Sequence, residues 1–263
     1  MHDSIIYKTE ASVLCVILMV LMTLMVYVGY WLRKRRQQEY EGMGSIEGSS
    51  FGLLGLILAF TFGMSANRYD NRRAVVVDEV NNLAGAMLRV ETFDNDSLKH
   101  ALYVDFKDLL DQRIKTNVTK VFDPQYDSAR IASYNAVRKL IRHSNQLAKI
   151  DKYNYAAMQL IQSLIKVNDS VTLRYNTMNA TVPDAIIWLL IIFALSCSVF
   201  AGFSLPVSKK INWLPILSFI VFTCVVIYII LDMDRPKRGF ITIADQYSLV
   251  KDLVKMLPKD LEK

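Results

Sequence analysis

Apolar positions along the chain form two kinds of pattern, unbroken runs and helical stripes. Residues 11–32 carry no charge. At about 1.5 Å per residue such a helix crosses a hydrocarbon core of roughly 30 Å. The acidic Asp3 and Glu10 ahead of it, and its length, argue for a membrane helix and against a cleaved signal peptide. A second uncharged stretch, 48–66, is strongly apolar from Phe51 and interspersed with Gly52, Gly55, Ala59 and Gly63. Small residues let helix backbones approach closely in lipid, so this helix is expected inside a bundle or oligomer. A third run, 185–205, is opened by Pro183, and a fourth, 213–231, begins at Trp213, an interfacial anchor. Four membrane spans are predicted.

Stripes occupy the segment between the second and third runs. Tyr69, Val76, Val80, Leu83, Met87 and Val90 recur at helical steps, so the second membrane helix is expected to run on as a long rod until 94–97 breaks it. Leu98, Leu102, Phe106, Leu109 and Arg113 follow with helical spacing, and Asp123-Pro124 marks a turn. A helix over 128–150 places Ile131, Tyr134, Val137, Leu140 or Ile141, and Leu147 on one side. Another over 153–176 uses Ala157, Leu160 or Ile161, Leu164, Val167, Val171 and Tyr175. After the fourth run, 232–239 is polar, and 243–257 is amphipathic, with Tyr247, Val250, Val254 and Leu257 on one face. That tail can pack on the insert or lie on lipid. The pattern predicts an all-α integral membrane protein. It has four transmembrane helices, a helical-bundle insert between the second and third, and a short C-terminal amphipathic helix. The parts are 1–66 with a short basic link, 67–182, 183–231 and 232–263.

Composition narrows the chemistry. Cys15, Cys197 and Cys224 each lie inside an apolar run, where a thiol behaves as a small hydrophobe, so a disulfide scaffold is excluded. The insert mixes 17 basic with 13 acidic residues along its helices, which reads as solvated surface and gives no nucleic-acid footprint. His2, His100 and His143 are far apart and in no ligand spacing, and phosphate loops, nucleophile elbows and dinucleotide turns are missing. No catalytic residue, metal or cofactor is expected, and the chain is not read as an enzyme. Arg33 to Arg36 and Lys209-Lys210 place the two short links in the cytoplasm by the positive-inside rule, with both termini outside. Arg68, Arg72, Arg73, Arg235, Lys237 and Arg238 make the opposite face basic as well.

Two groups of polar residues stand out. Arg68, Asp70, Arg72 and Arg73 follow the second span within one and a half turns. They read either as headgroup anchors or, if this helix faces a symmetry axis, as a charged ring around a pore mouth. Asp78, Glu79, Asn81, Asn82 and Arg89 decorate the rod. Glu79, Asn82, Ala86 and Arg89 are assigned to a face opposite the apolar stripe, which predicts solvated decoration or inter-subunit hydrogen bonds.

The stretch from Leu53 through Gly55-Leu56, Ala59-Phe60-Thr61-Phe62-Gly63 and Ser65, into Asn67-Arg68-Tyr69-Asp70-Asn71-Arg72-Arg73, Glu79, Asn81 and Leu88-Arg89, resembles the signature of a bestrophin-like bacterial membrane protein family of unknown function. Asp234-Arg235-Pro236 with Gly239 resembles that family's second motif. The family pattern has small residues where this chain has Val80 and Asn82, and an aromatic and a small residue at Lys237 and Arg238. A more distant resemblance, to bestrophin channels, implies a pentamer whose second helix lines the pore, with an apolar neck at Leu56 and Phe60 and an exit pair at Arg68-Tyr69. It also implies an insert and termini in the cytosol, opposite to the charge rule.

Two functions follow as expectations. The first is an oligomeric channel in the bacterial inner membrane, multi-pass, whose partners are the lipid bilayer, copies of itself and inorganic ions. The second is a non-conducting membrane scaffold or sensor whose helical insert binds a partner or ligand.

Overall fold

The computed structural model describes residues 9–36, 44–118, 124–206, 212–235, 240–241 and 244–261. Among them all regular structure is helical: α1 (Ala11–Arg36), α2 (Gly44–Leu88), α3 (Asp96–Val118), α4 (Pro124–Leu147), α5 (Asn154–Asn179), α6 (Asp184–Phe203), α7 (Trp213–Met233) and α8 (Ala244–Val254). Short 3₁₀ turns lie at Arg89–Thr92 and Asp151–Tyr153. Four segments, containing α1, α2, α6 and α7, are long and apolar enough to cross a membrane. The expected rod is real. α2 is one helix of 45 residues, about 65 Å long, and no proline interrupts it. The chain forms two compact units, 1–69 with 181–241 and 70–180 with 242–263, and α2 supplies residues to both.

In the first unit Leu18, Met22 and Val26 of α1 pack with Ile187, Ala194 and Cys197 of α6 and Ile220, Cys224 and Ile227 of α7. Two glycines set how closely α1 and α6 approach. A Cβ on Gly202 would lie 2.7 Å from the Val26 carbonyl carbon, and one on Gly29 would lie 2.9 Å from the Phe203 nitrogen. Such contacts leave no room for any side chain, so glycine is required for the crossing itself. Arg33 extends α1 past its apolar run and donates from Nη1 to the Phe203 carbonyl at 2.8 Å, fastening it to the end of α6. α2 joins through one side only. Leu54 is in the core, the Phe51 ring meets Phe219 edge-on with centroids 5.1 Å apart, and the Cys197 thiol faces the Ser50 carbonyl.

The second unit has its own core. Leu83 and Met87 of α2 and Val90 of the 3₁₀ turn after it meet Leu102, Phe106 and Leu109 of α3, Val137 and Leu140 of α4, and Leu160, Leu164 and Val167 of α5. Val250 and Leu253 of α8, with Leu257 beyond it, are buried in this same core, so the tail packs on protein. On α4 the expected side is buried in part, with Val137, Leu140 and Leu147 in the core. Ile131 is exposed, Tyr134 and Ile141 are half-buried, and Ser133 and Ser144 are buried in their place. Each serine has an answer for its hydroxyl: Ser144 donates to the Leu140 carbonyl of its own helix and Ser133 accepts from Arg113. A hydroxyl satisfied in this way can occupy a core position that the apolar spacing assigns to an aliphatic residue.

Candidate functional site

The membrane part of α2 has two unlike sides. Leu54, Thr61 and Ser65 are buried at helical spacing, and Thr61 returns its hydroxyl to the Ile57 carbonyl at 2.8 Å. On the other side Leu56 is 52% exposed and Phe60 is 67% exposed. Gly52, Gly55 and Gly63 accompany them, and a Cβ at any of the three would have nothing within 4 Å. Among the described residues the outward faces of the other spans carry no glycine, whereas α2 mixes its glycines with exposed Leu53, Phe62 and Met64. Val16, Ile17 and Val20 on α1, Trp188, Leu189 and Ile192 on α6, and Leu217, Phe222 and Val225 on α7 are bulky and apolar, as lipid contact favours.

Where the first unit's span of α2 ends, the two motifs read from the sequence come together. Arg68 Nη1 lies 3.7 Å from Asp234 Oδ1, a distance at which the charges attract without a hydrogen bond. The other oxygen of Asp234 accepts from the Val182 backbone N–H at 2.7 Å, so this buried carboxylate ties α2, the approach to α6 and the end of α7 to one point. Two residues earlier, Asp232 is also buried, and its Oδ2 accepts from the N–H groups of Phe240 and Ile241 at 3.0 and 2.8 Å. A carboxylate at a helix C-terminus opposes the helix dipole, and these two backbone donors offset that. Arg235 is buried beside them, whereas Pro236 and Gly239 lie outside the described residues.

In the second unit the remaining motif residues divide between interior and surface. Asp70, Arg73 and Asn81 are exposed, and Arg89 is half-buried, donating to the Gly85 carbonyl of its own helix at 2.7 Å. Arg72 is fully buried. Its Nη2 donates to the Ala180 carbonyl at 2.5 Å and its Nε reaches the Thr177 carbonyl at 3.4 Å, so the guanidinium caps the end of α5. Tyr69, in the first unit, is half-buried.

Glu79 corrects the reading of the rod's polar face. It is 0% exposed, with Ala86 equally buried one face-repeat further on, because the helix packs on a wider arc than the apolar stripe alone. Oε2 of Glu79 accepts from Arg174 Nη1 at 2.8 Å, and Oε1 pairs with Arg113 Nη2. Arg113 Nη1 also donates to Ser133 Oγ at 3.2 Å, and Tyr126 is buried near both arginines. Burial first, then the like charge of Arg174, push the Arg113 guanidinium below the usual arginine range. Arg113 and Arg174 went unassigned in the sequence. The signal was there: Arg113 occupies the next position of an apolar stripe, where a solvated arginine has no reason to be.

Among the described residues no group of three His, Cys, Asp or Glu side chains is placed to hold a metal ion. The model of the Bestrophin-like domain matches residues 14–247 of the chain. No curated protein sequence matches it significantly. Two crystal structures of a bacterial bestrophin homologue from Klebsiella pneumoniae, each with a different single substitution, share the fold. One aligns at 10% identity with a TM-score of 0.73, over 95% of this chain and 98% of the other. The second aligns at 11% identity with a TM-score of 0.71, over 92% and 98%.

Proposed function

Because the chain belongs to the Bestrophin-like family, a family of membrane proteins, we propose that it is a homo-oligomeric channel, a pentamer, with α2 around the axis and Leu56 and Phe60 forming an apolar neck. One observation carries this reading. The side of α2 that its own chain leaves open carries Leu53, Leu56, Phe60, Phe62 and Met64 interspersed with Gly52, Gly55, Ala59 and Gly63, a density of small residues suited to close helix neighbours. In a ring of such helices the Leu56 and Phe60 side chains, one turn apart, stack as two narrow apolar constrictions that resist permeation by dewetting. Asn67, Asp70 and Arg73, exposed further along the same helix, supply polar groups beyond the neck.

The experiment is ion flux from liposomes reconstituted with wild type and Phe60→Ala. Widening the neck should raise flux while thermal stability stays near wild type, since Phe60 fills no core of its own chain. Unchanged flux with unchanged stability would place Phe60 against lipid and remove the neck. Images of the purified particle should show a ring with an axial hole; a monomer or dimer would leave the reading without a pore.

A further inference from the structure

We propose that the groove between α4 and α5 binds an organic anion, with a carboxylate or phosphate head gripped by Arg138 and Arg142 and a short apolar body beside it. The proposal lies outside the membrane spans and is independent of the channel reading. The groove has a volume of about 500 Å³, within the usual range of small-molecule sites. Its lining is mixed in the way such sites are. Ile141 and Ile165 give apolar wall, Asn135 and Asn168 bring carboxamides from the two helices, and Tyr134 lies under the Arg138 guanidinium at 4.8 Å.

Charge gives the groove its direction. Arg138 and Arg142 are one turn apart on one face of α4 and both are exposed. Like charges at this spacing repel and weaken a helix. Elsewhere on α4 the bases are answered: Lys139 meets Asp105 at 2.8 Å and Arg130 meets Asp127 at 3.5 Å. Among the described residues neither Arg138 nor Arg142 meets a carboxylate, so two guanidinium forks converge on the groove with their hydrogen bonds available. Two planar forks a turn apart match the oxygens of a carboxylate or phosphate, and the stacked tyrosine fixes the plane of one of them. A soluble phosphate or carboxylate and an anionic lipid headgroup share this chemistry.

The test uses the full-length protein in nanodiscs of neutral phosphatidylcholine, with phenyl phosphate as the soluble probe and calorimetric titration as the readout. Wild type should bind saturably at one site per chain. Arg138→Gln with Arg142→Gln should weaken binding about tenfold or more, the loss expected for charge-assisted hydrogen bonds. Ile165→Trp should do the same by filling the groove with both charges in place. All three residues being exposed, the melting temperatures of the unliganded variants should not fall far below wild type, and relief of the Arg138–Arg142 repulsion should raise that of the double variant slightly. In a second arm, nanodiscs containing phosphatidic acid replace the probe. If only this arm raises the wild-type melting temperature, and the double arginine variant does not respond, the anion is a lipid headgroup and the site stands. Equal phenyl phosphate affinity in wild type and variants, or no response in either arm, overturns the proposal.

Discussion

Glu79 and Arg174, 95 residues apart along the chain, meet with 2.8 Å between Oε2 and Nη1, and Arg113 takes the other carboxylate oxygen. One buried anion thereby joins α2 to α3 and α5 inside the second unit's core. Removing one partner of such a group strands the rest, because desolvated guanidinium groups have no water to turn to.

Glu79→Gln, although nearly isosteric, should therefore lower stability by about 3–5 kcal/mol, comparable to a core truncation such as Leu83→Ala. Denaturant unfolding of the purified protein measures both. A mild Glu79→Gln variant would show that the arginines find other acceptors.

Arg68 and Asp234 should be energetically coupled. A double-mutant cycle of Arg68→Gln and Asp234→Asn is expected to give an interaction energy of about 0.5–3 kcal/mol. Arg68→Gln should be the more damaging single change, since it takes this cation from the buried Asp234 carboxylate, whereas Asp234→Asn keeps an oxygen to accept from Val182 N–H and leaves a partly exposed Arg68 that water can reach. Additive single effects would mean that the 3.7 Å approach contributes nothing.

A pH dependence follows from Glu91. Tyr103 donates to its Oε1 and Lys99 Nζ lies 3.3 Å from Oε2, and the phenol first, then the lysine, hold the carboxyl below its ordinary value of 4.5. Burial pushes the Tyr103 phenol up, so it stays protonated and remains the donor. A depressed carboxyl stabilises the fold above its unfolded value, and that contribution disappears as pH falls through the lower folded one. Tyr103→Phe should then be less stable than wild type at neutral pH, with the gap closing below about pH 4.5. Unfolding curves at a series of pH values check the sign. A gap that persists in acid would assign the loss to packing.

Topology is the fourth expectation. The bestrophin resemblance puts the insert in the cytosol and the positive-inside rule puts it outside. With the family established, a cysteine at Lys34, in a background free of native cysteines, should react with a membrane-impermeant maleimide on intact cells, and one at Lys115 should not. The reverse labelling would restore the orientation given by the short basic links.

Local rules made much of this fold legible. Runs without charge gave the four spans, and steps of three and four gave the buried Val76, Val80, Leu83, Met87 and Val90. Glu79 was misplaced because a charge is counted as solvated unless its partners are known, and those partners stand 34 and 95 residues away. Arg72 presented the same difficulty, since the carbonyls it caps belong to the far end of α5. Its burial depends on tertiary contacts that no spacing rule encodes. The motif residues Arg68 and Asp234 were recognised separately, by resemblance, and only folding brings them together. The groove between α4 and α5 is not legible in the sequence, because helical spacing puts Tyr134, and Ile141 as the alternative to Leu140, on the packed side of α4.

The crossing of α1 and α6 at Gly29 and Gly202 is complete within a single chain, so its strength is indifferent to dilution. The open side of α2 is not. On the channel reading Gly52, Gly55 and Gly63 are covered only when other subunits arrive, and that part of the stability varies with the logarithm of subunit density in the bilayer. Spread thinly into excess lipid, the molecule would loosen at α2 first, while α1, α6 and α7 stayed locked, so its persistence in a membrane becomes a property of the population.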